Sequence, residues 1–137
     1  MIVTGYLAHI DGGARGNPGP AGWGAIITAP DGTVTELHGA LPHATNNVAE
    51  YQGLLAALIW SRAHGVQELH VRSDSLLLVQ QMRGVYKVKN EGLKPLSARA
   101  RLLAHEIGRV TYEHVRREAN AQADRLANRA MDEAAGV

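Results

Sequence analysis

The 137-residue chain has no cysteine, which excludes a disulfide framework, a thiolate metal site and a thiol nucleophile. Long hydrophobic runs are missing as well; none approaches the roughly 20 apolar residues that cross a bilayer. Met1 leads directly into a strand-like segment rather than a secretory leader, so a cytoplasmic location is expected. Net charge is nearly absent, at +1, but its distribution is uneven. Arg83, Lys87, Lys89, Lys94, Arg99 and Arg101 are set against one acid in that interval, Glu91. By charge alone the run reads first as a solvated surface and only second as a phosphate-facing patch. The length suits one domain, residues 1–137, with a real core.

Glycine, by contrast, is plentiful, and its placement is informative. Tyr6 to Ile10 is apolar, Asp11 follows, and Gly12, Gly13, Gly16, Gly19, Gly22 and Gly24 then alternate with Pro18 and Pro20. Residues 2–11 are predicted as a strand. Residues 22–29 and 33–39 form a predicted hairpin about Pro30-Asp31-Gly32. Thr45, Asn46 and Asn47 offer caps for a helix running to Ala63 and closed by Gly65, with a stripe of Val48, Tyr51, Leu54, Leu55, Leu58 and Ile59. A strand over 68–73 and a helix over 75–82 follow, then a basic loop over 84–92. Pro95 opens a third helix to Glu106, residues 110–116 make the last strand, and a final helix starts near Asn120. Its stripe is Ala123, Leu126, Ala127, Ala130, Met131 and Ala134. The order βββαβααβα predicts a mixed sheet covered by helices, with an antiparallel hairpin on one side and crossover connections on the other.

Four acids stand out against this frame. Asp11 ends the first predicted strand, Asp74 follows the fourth, Glu50 lies in the first turn of the long helix, and Asp124 lies near the start of the last. Each alone is explained by capping or by the helix dipole. Together, strand ends and adjacent helix starts converge on the carboxyl edge of a parallel sheet. Four convergent carboxylates repel one another unless cations neutralise them, and an all-oxygen donor set selects Mg²⁺ or Mn²⁺. Two such ions about 4 Å apart suit phosphodiester cleavage. On this reading Asp11 holds metal, and the small residues after it let backbone approach a sugar-phosphate chain closely.

The segments IDGGARGNPGPAGWGAII, ATNNVAEYQGLLAAL, VRSDSLLLVQQ, YKVKNEGLKPL and HVRREANAQADRLANRA, in this order, resemble a type 1 ribonuclease H over essentially the whole chain. The resemblance implies an α/β fold: a five-stranded mixed sheet of order 3-2-1-4-5 with helices on both faces. It implies endonucleolytic hydrolysis of the RNA strand of RNA/DNA hybrids, with 5′-phosphate and 3′-hydroxyl products. Asp11, Glu50, Asp74 and Asp124 become catalytic residues holding two Mg²⁺ ions, with Mn²⁺ able to substitute. Glu50 also accepts from a ribose 2′-hydroxyl, the group that distinguishes RNA from DNA. Gly12, Gly13 and Ala14 lie along the RNA. Asn17, Asn46 and Asn47 contact the hybrid minor groove, and Thr45 holds a DNA phosphate. Ser75, Lys87 and Lys89 complete the implied substrate contacts, which reverses the surface-only reading of the basic loop. The partner is the hybrid itself, bound by a monomer.

This sequence departs from the family in three places. The long basic insertion of some members, between the second and third helices, is missing. The loop before the last acid, RREANAQAD, has no histidine; Glu118 is the nearest group to assist there, and Asn120 orders the loop. Leu76 replaces a polar groove contact. His114 falls inside the predicted last strand and reads as structural, as do the other histidines; Trp23 and Trp60 read as packing residues. Two further readings stay open: a non-catalytic nucleic-acid- or protein-binding member of the fold, and a nuclease of different specificity.

Overall fold

The computed structural model describes residues 5–137; positions 2–4 of the predicted first strand lie outside the described residues. Ten elements follow in order: β1 (Gly5–Ala14), β2 (Gly19–Thr28), β3 (Val34–Ala44), α1 (Asn46–Ala63), β4 (Glu68–Ser73), α2 (Leu76–Met82), α3 (Lys94–Ile107), β5 (Arg109–His114), a 3₁₀ turn (Arg117–Asn120) and α4 (Ala121–Ala135). The sheet runs β3-β2-β1-β4-β5. β1 pairs antiparallel with β2 and parallel with β4, so the hairpin side and the crossover side meet at β1.

Alternation along the strands divides the core. Ala8 and Ile10 of β1, Ala25 and Ile27 of β2, and Leu69 and Val71 of β4 pack with Leu54, Leu58, Leu103 and Ile107 of α1 and α3. The opposite face, carrying Gly22 and Gly24, receives α4 through Ala123, Leu126, Ala127, Ala130 and Met131. Among the described residues no helix is long and apolar enough to cross a membrane.

Several boundaries differ from expectation. β1 does not stop at Asp11 but continues to Ala14, pairing Asp11 with Gly24 and Ala14 with Ala21. Its parallel neighbour does stop: Ile10 opposite Ser73 is the last pair between β1 and β4. Asp11 is therefore the first residue of β1 to project where one neighbouring strand has ended. The hairpin is longer than predicted, pairing on to Gly19 and Ala44, and within it a Cβ on Gly39 would lie 2.5 Å from the Trp23 ring, which occupies that space. The turn at Pro30-Asp31-Gly32 forms, with Ala29 N–H donating to Thr33 O and Thr33 N–H to the Asp31 carboxylate.

Glu50 is the fifth residue of α1, beyond its first turn, because Thr45 caps a helix that begins at Asn46. Ile59, assigned to the buried stripe, is 42% exposed, whereas Ala49, Gly53, Ala57 and Ser61 are buried. The helix packs on both the sheet and α3, with Ala49 against Gly12 and Gly53 against the Asp11 and Gly24 carbonyls. Ser75 caps α2 through Leu78 N–H rather than belonging to it. α4 begins at Ala121, beside Asn120 as expected, after a 3₁₀ turn over Arg117–Asn120 that takes up the middle of RREANAQAD.

Candidate active site

Each acid reaches the carboxyl edge of the sheet by a different element. Asp11 sits in β1, Asp74 just past the last residue of β4, Glu50 on α1 and Asp124 on α4. Carboxylate oxygens of Asp11, Glu50 and Asp74 lie within 4.8 Å of one another. Asp124 lines the same cleft, near enough to Asp11 for its charge to raise the Asp11 carboxyl.

Glycine makes this convergence possible. A Cβ on Gly12 would lie 2.4 Å from the carbonyl carbon of Ala49 and 2.5 Å from Glu50 N, so α1 rests directly on β1 where Glu50 departs. On the other face, a Cβ on Gly24 would lie 2.6 Å from Leu126 Cβ and 2.7 Å from Ala123 O, which lets α4 bring Asp124 down. The small residues around Asp11 thus admit two helices, a use not anticipated from the sequence.

Crowding and burial make full ionisation unfavourable. The Asp11 carboxyl is pushed up to about 8, first by burial and then by the charges of Asp74 and Asp124, against the Gly12 N–H that donates to it over 2.9 Å. Glu50 is raised well above the usual carboxylate range by burial, then by Asp11 and Asp74. Glu50 Oε2 is buried with no hydrogen-bond partner. An unpartnered carboxylate oxygen among like charges is what a bound cation would satisfy, and the all-oxygen set fits a hard divalent ion. Asp11, Glu50 and Asp74 converge closely enough to hold it, with Asp124 beside them in the cleft.

The acids floor a cleft of about 800 Å³ that also includes Gly12, Gly13, Ala14, Arg15, Asn46, His114, Arg116, Arg117, Glu118 and Asn128. Ala14 N–H donates to Asn46 Oδ1 over 2.7 Å, and Asn46 N–H donates to Asn17 Oδ1 over 2.9 Å, tying the loop after β1 to the start of α1. Thr45 accepts from Val48 N–H, and Asn47 is exposed beside it. Ser75 caps α2 next to Asp74. Glu118 lines the cleft, whereas Asn120 is buried and donates to Ile10 O. Lys87 and Lys89 are exposed on the α2–α3 connection and do not line the cleft.

Arg15, Arg116 and Arg117, which carry no functional signal in the sequence, also line the cleft, as do Asn128 and His114. His114, read as structural, is the last residue of β5, paired with Ser73, and its ring is 3.3 Å from Asp74 O. Asn128 lies one helical turn after Asp124, a spacing that would have shown it. The arginines flank motif residues and carry no periodic signal.

Residues 9–130 match the family described as reverse transcriptase-like. A Mycobacterium tuberculosis protein described as bifunctional is 52% identical over 131 residues, covering 94% of this chain and 36% of its own. The ribonuclease HI of Halobacterium salinarum is 38% identical over 93% of this chain and 64% of its own, and the ribonuclease H of Pseudomonas syringae pv. syringae is 30% identical over 93% and 92%. This chain therefore spans about a third of the first relative and just under two thirds of the second. Among solved structures, the N-terminal ribonuclease H domain of the M. tuberculosis protein, studied as a fusion with maltose-binding protein, superposes with a TM-score of 0.94 at 48% identity, covering 98% of each chain. The LC11 ribonuclease H1 in complex with an RNA/DNA hybrid superposes at 0.88 with 43% identity, covering 94% of this chain and 98% of that one. Mixed sheet, acid cluster and sequence agree: the chain belongs to the ribonuclease H family, type 1. Like the resemblance first noted, it is the short form, since residues 83–93 alone connect α2 to α3.

Proposed function

We propose that this domain is an endonuclease that hydrolyses the RNA strand of RNA/DNA hybrids, leaving 5′-phosphate and 3′-hydroxyl ends. Two Mg²⁺ ions, replaceable by Mn²⁺, are held by Asp11, Glu50, Asp74 and Asp124. The observation that carries the proposal is the convergence of Asp11, Glu50 and Asp74 within 4.8 Å, with Asp124 beside them, at the floor of an open cleft. When bound, the ions supply an activated water and stabilise the leaving oxygen. The chain's own part is to hold four oxygens in place and to seat the substrate.

Glu50 faces both cation and ribose, so its carboxylate also accepts from a 2′-hydroxyl. Gly12, Gly13 and Ala14 form the wall along the RNA. Asn46, whose Oδ1 is committed to Ala14, offers donors only, and Asn17 and Asn47 extend that edge into the minor groove. Thr45 with Ser75 meets phosphates, and Lys87 and Lys89 reach the hybrid beyond the cleft. The hybrid bound by the LC11 ribonuclease H1 supports this substrate class. The domain acts as a monomer.

End-labelled RNA annealed to DNA tests the proposal, with single-stranded RNA, duplex RNA and duplex DNA alongside. Internal cuts confined to the hybrid's RNA, abolished by chelator and by Asp11→Asn, are expected. Binding of the hybrid without cleavage in either Mg²⁺ or Mn²⁺ would overturn it in favour of a non-catalytic member of the fold.

A further inference from the structure

Asn120 stands at the N-cap position of α4, where asparagine ordinarily accepts from the first free N–H groups of its own helix. Here it makes no such bond. Its Nδ2 instead donates over 2.7 Å to the carbonyl of Ile10, a residue 110 positions away in sequence. The residue is 1% exposed, and its Oδ1 is buried with no partner. A missing cap and an orphaned buried acceptor both lower stability, so stability alone does not account for this side chain.

Its placement does. Ile10 immediately precedes Asp11, at the level where β4 ends opposite β1. Asn120 begins the helix that carries Asp124 one turn later. One hydrogen bond therefore ties together the strand that bears Asp11 and the helix that bears Asp124, two acids of one cleft, just behind its floor.

We propose that Asn120 is a positioning residue: through the Ile10 carbonyl it sets the separation of Asp11 and Asp124, and thereby the cation affinity and turnover of the site. The turnover half of this role rests on the nuclease function proposed above.

Two variants test it, Asn120→Ala and the bulkier, donor-free Asn120→Leu, with Ile107→Val in the α3 side of the core as a control for lost stability. Mg²⁺ affinity is read by calorimetry without substrate. Hybrid cleavage is read separately, as kcat and KM, well below each protein's Tm. Both Asn120 variants should weaken Mg²⁺ binding by about tenfold and lower kcat by a similar factor, with KM for the hybrid little changed. Ile107→Val should lower Tm alone. Wild-type Mg²⁺ affinity and kcat in folded Asn120 variants would overturn the proposal. So would failure of both variants to fold, because the amide would then serve the fold and not the site. A wild-type protein inactive on hybrids would defeat the nuclease reading but leave the calorimetric comparison intact.

Discussion

Replacing Gly12 with alanine tests how the site is assembled. The added Cβ would lie 2.4 Å from Ala49 C and 2.5 Å from both Ala49 O and Glu50 N. Ordinary contact begins near 3.4 Å, so β1 and α1 must part by about 1 Å, the difference of 3.4 and 2.4. All three opposing atoms are backbone, and no rotamer change relieves them. Such overpacking costs about 1–3 kcal/mol. For a domain of this length the loss lowers Tm by about 3–10 °C. The larger effect is on chemistry: Glu50 leaves α1 at the point of contact, and a displacement of about 1 Å at a reacting site costs about 100-fold in rate. Urea denaturation and hybrid cleavage, run on the same preparation well below its Tm, separate the two effects. Gly5→Ala, where a Cβ meets nothing within 4 Å, should change stability by no more than about 0.5 kcal/mol. Wild-type turnover in folded Gly12→Ala would refute the claim that the close approach of α1 to β1 places Glu50.

Three further outcomes are expected. Asp11 and Glu50 bind their protons more tightly folded than unfolded, so the metal-free protein should lose stability as pH rises from about 4 through about 8; Asp11→Asn should flatten that slope and reduce the Tm gain from Mg²⁺, both read by thermal melts with chelator or Mg²⁺. Thr45→Ala removes the Val48 N–H acceptor and should cost about 1 kcal/mol, whereas Thr45→Ser should restore it; equal melting of the two would remove the cap from consideration. Lys87→Ala and Lys89→Ala should each raise KM and reduce the salt slope of hybrid binding by about 1 without changing kcat, and an unchanged slope would return the loop to simple surface.

The sequence by itself determined the element order and the sheet topology it implies. Hydrophobic period, turn residues and caps are local signals, and those at Thr45, Gly65 and Pro30-Asp31-Gly32 act in the folded chain as their chemistry predicts. It also singled out four acids whose side chains share one cleft, because each borders an apolar stripe where a lone carboxylate is out of place. Element ends were less legible. β1 runs past Asp11 because β2 pairs with it, and Ile59, apolar and in the helical stripe, stays 42% exposed in a groove beside α3; both facts belong to neighbours distant in sequence.

Only the tertiary structure decided why glycine surrounds Asp11. Gly12 and Gly24 meet the backbones of helices that begin tens of residues later, and no local pattern records such a contact. The same holds for Asn120, whose position reads as a helix cap but whose amide goes to Ile10, and for His114, brought beside Asp74 by pairing of β4 with β5. Patterns of three or four residues specify elements. The distances that let carboxylates share a cation come from how those elements pack, and packing is set by atoms far apart in the chain.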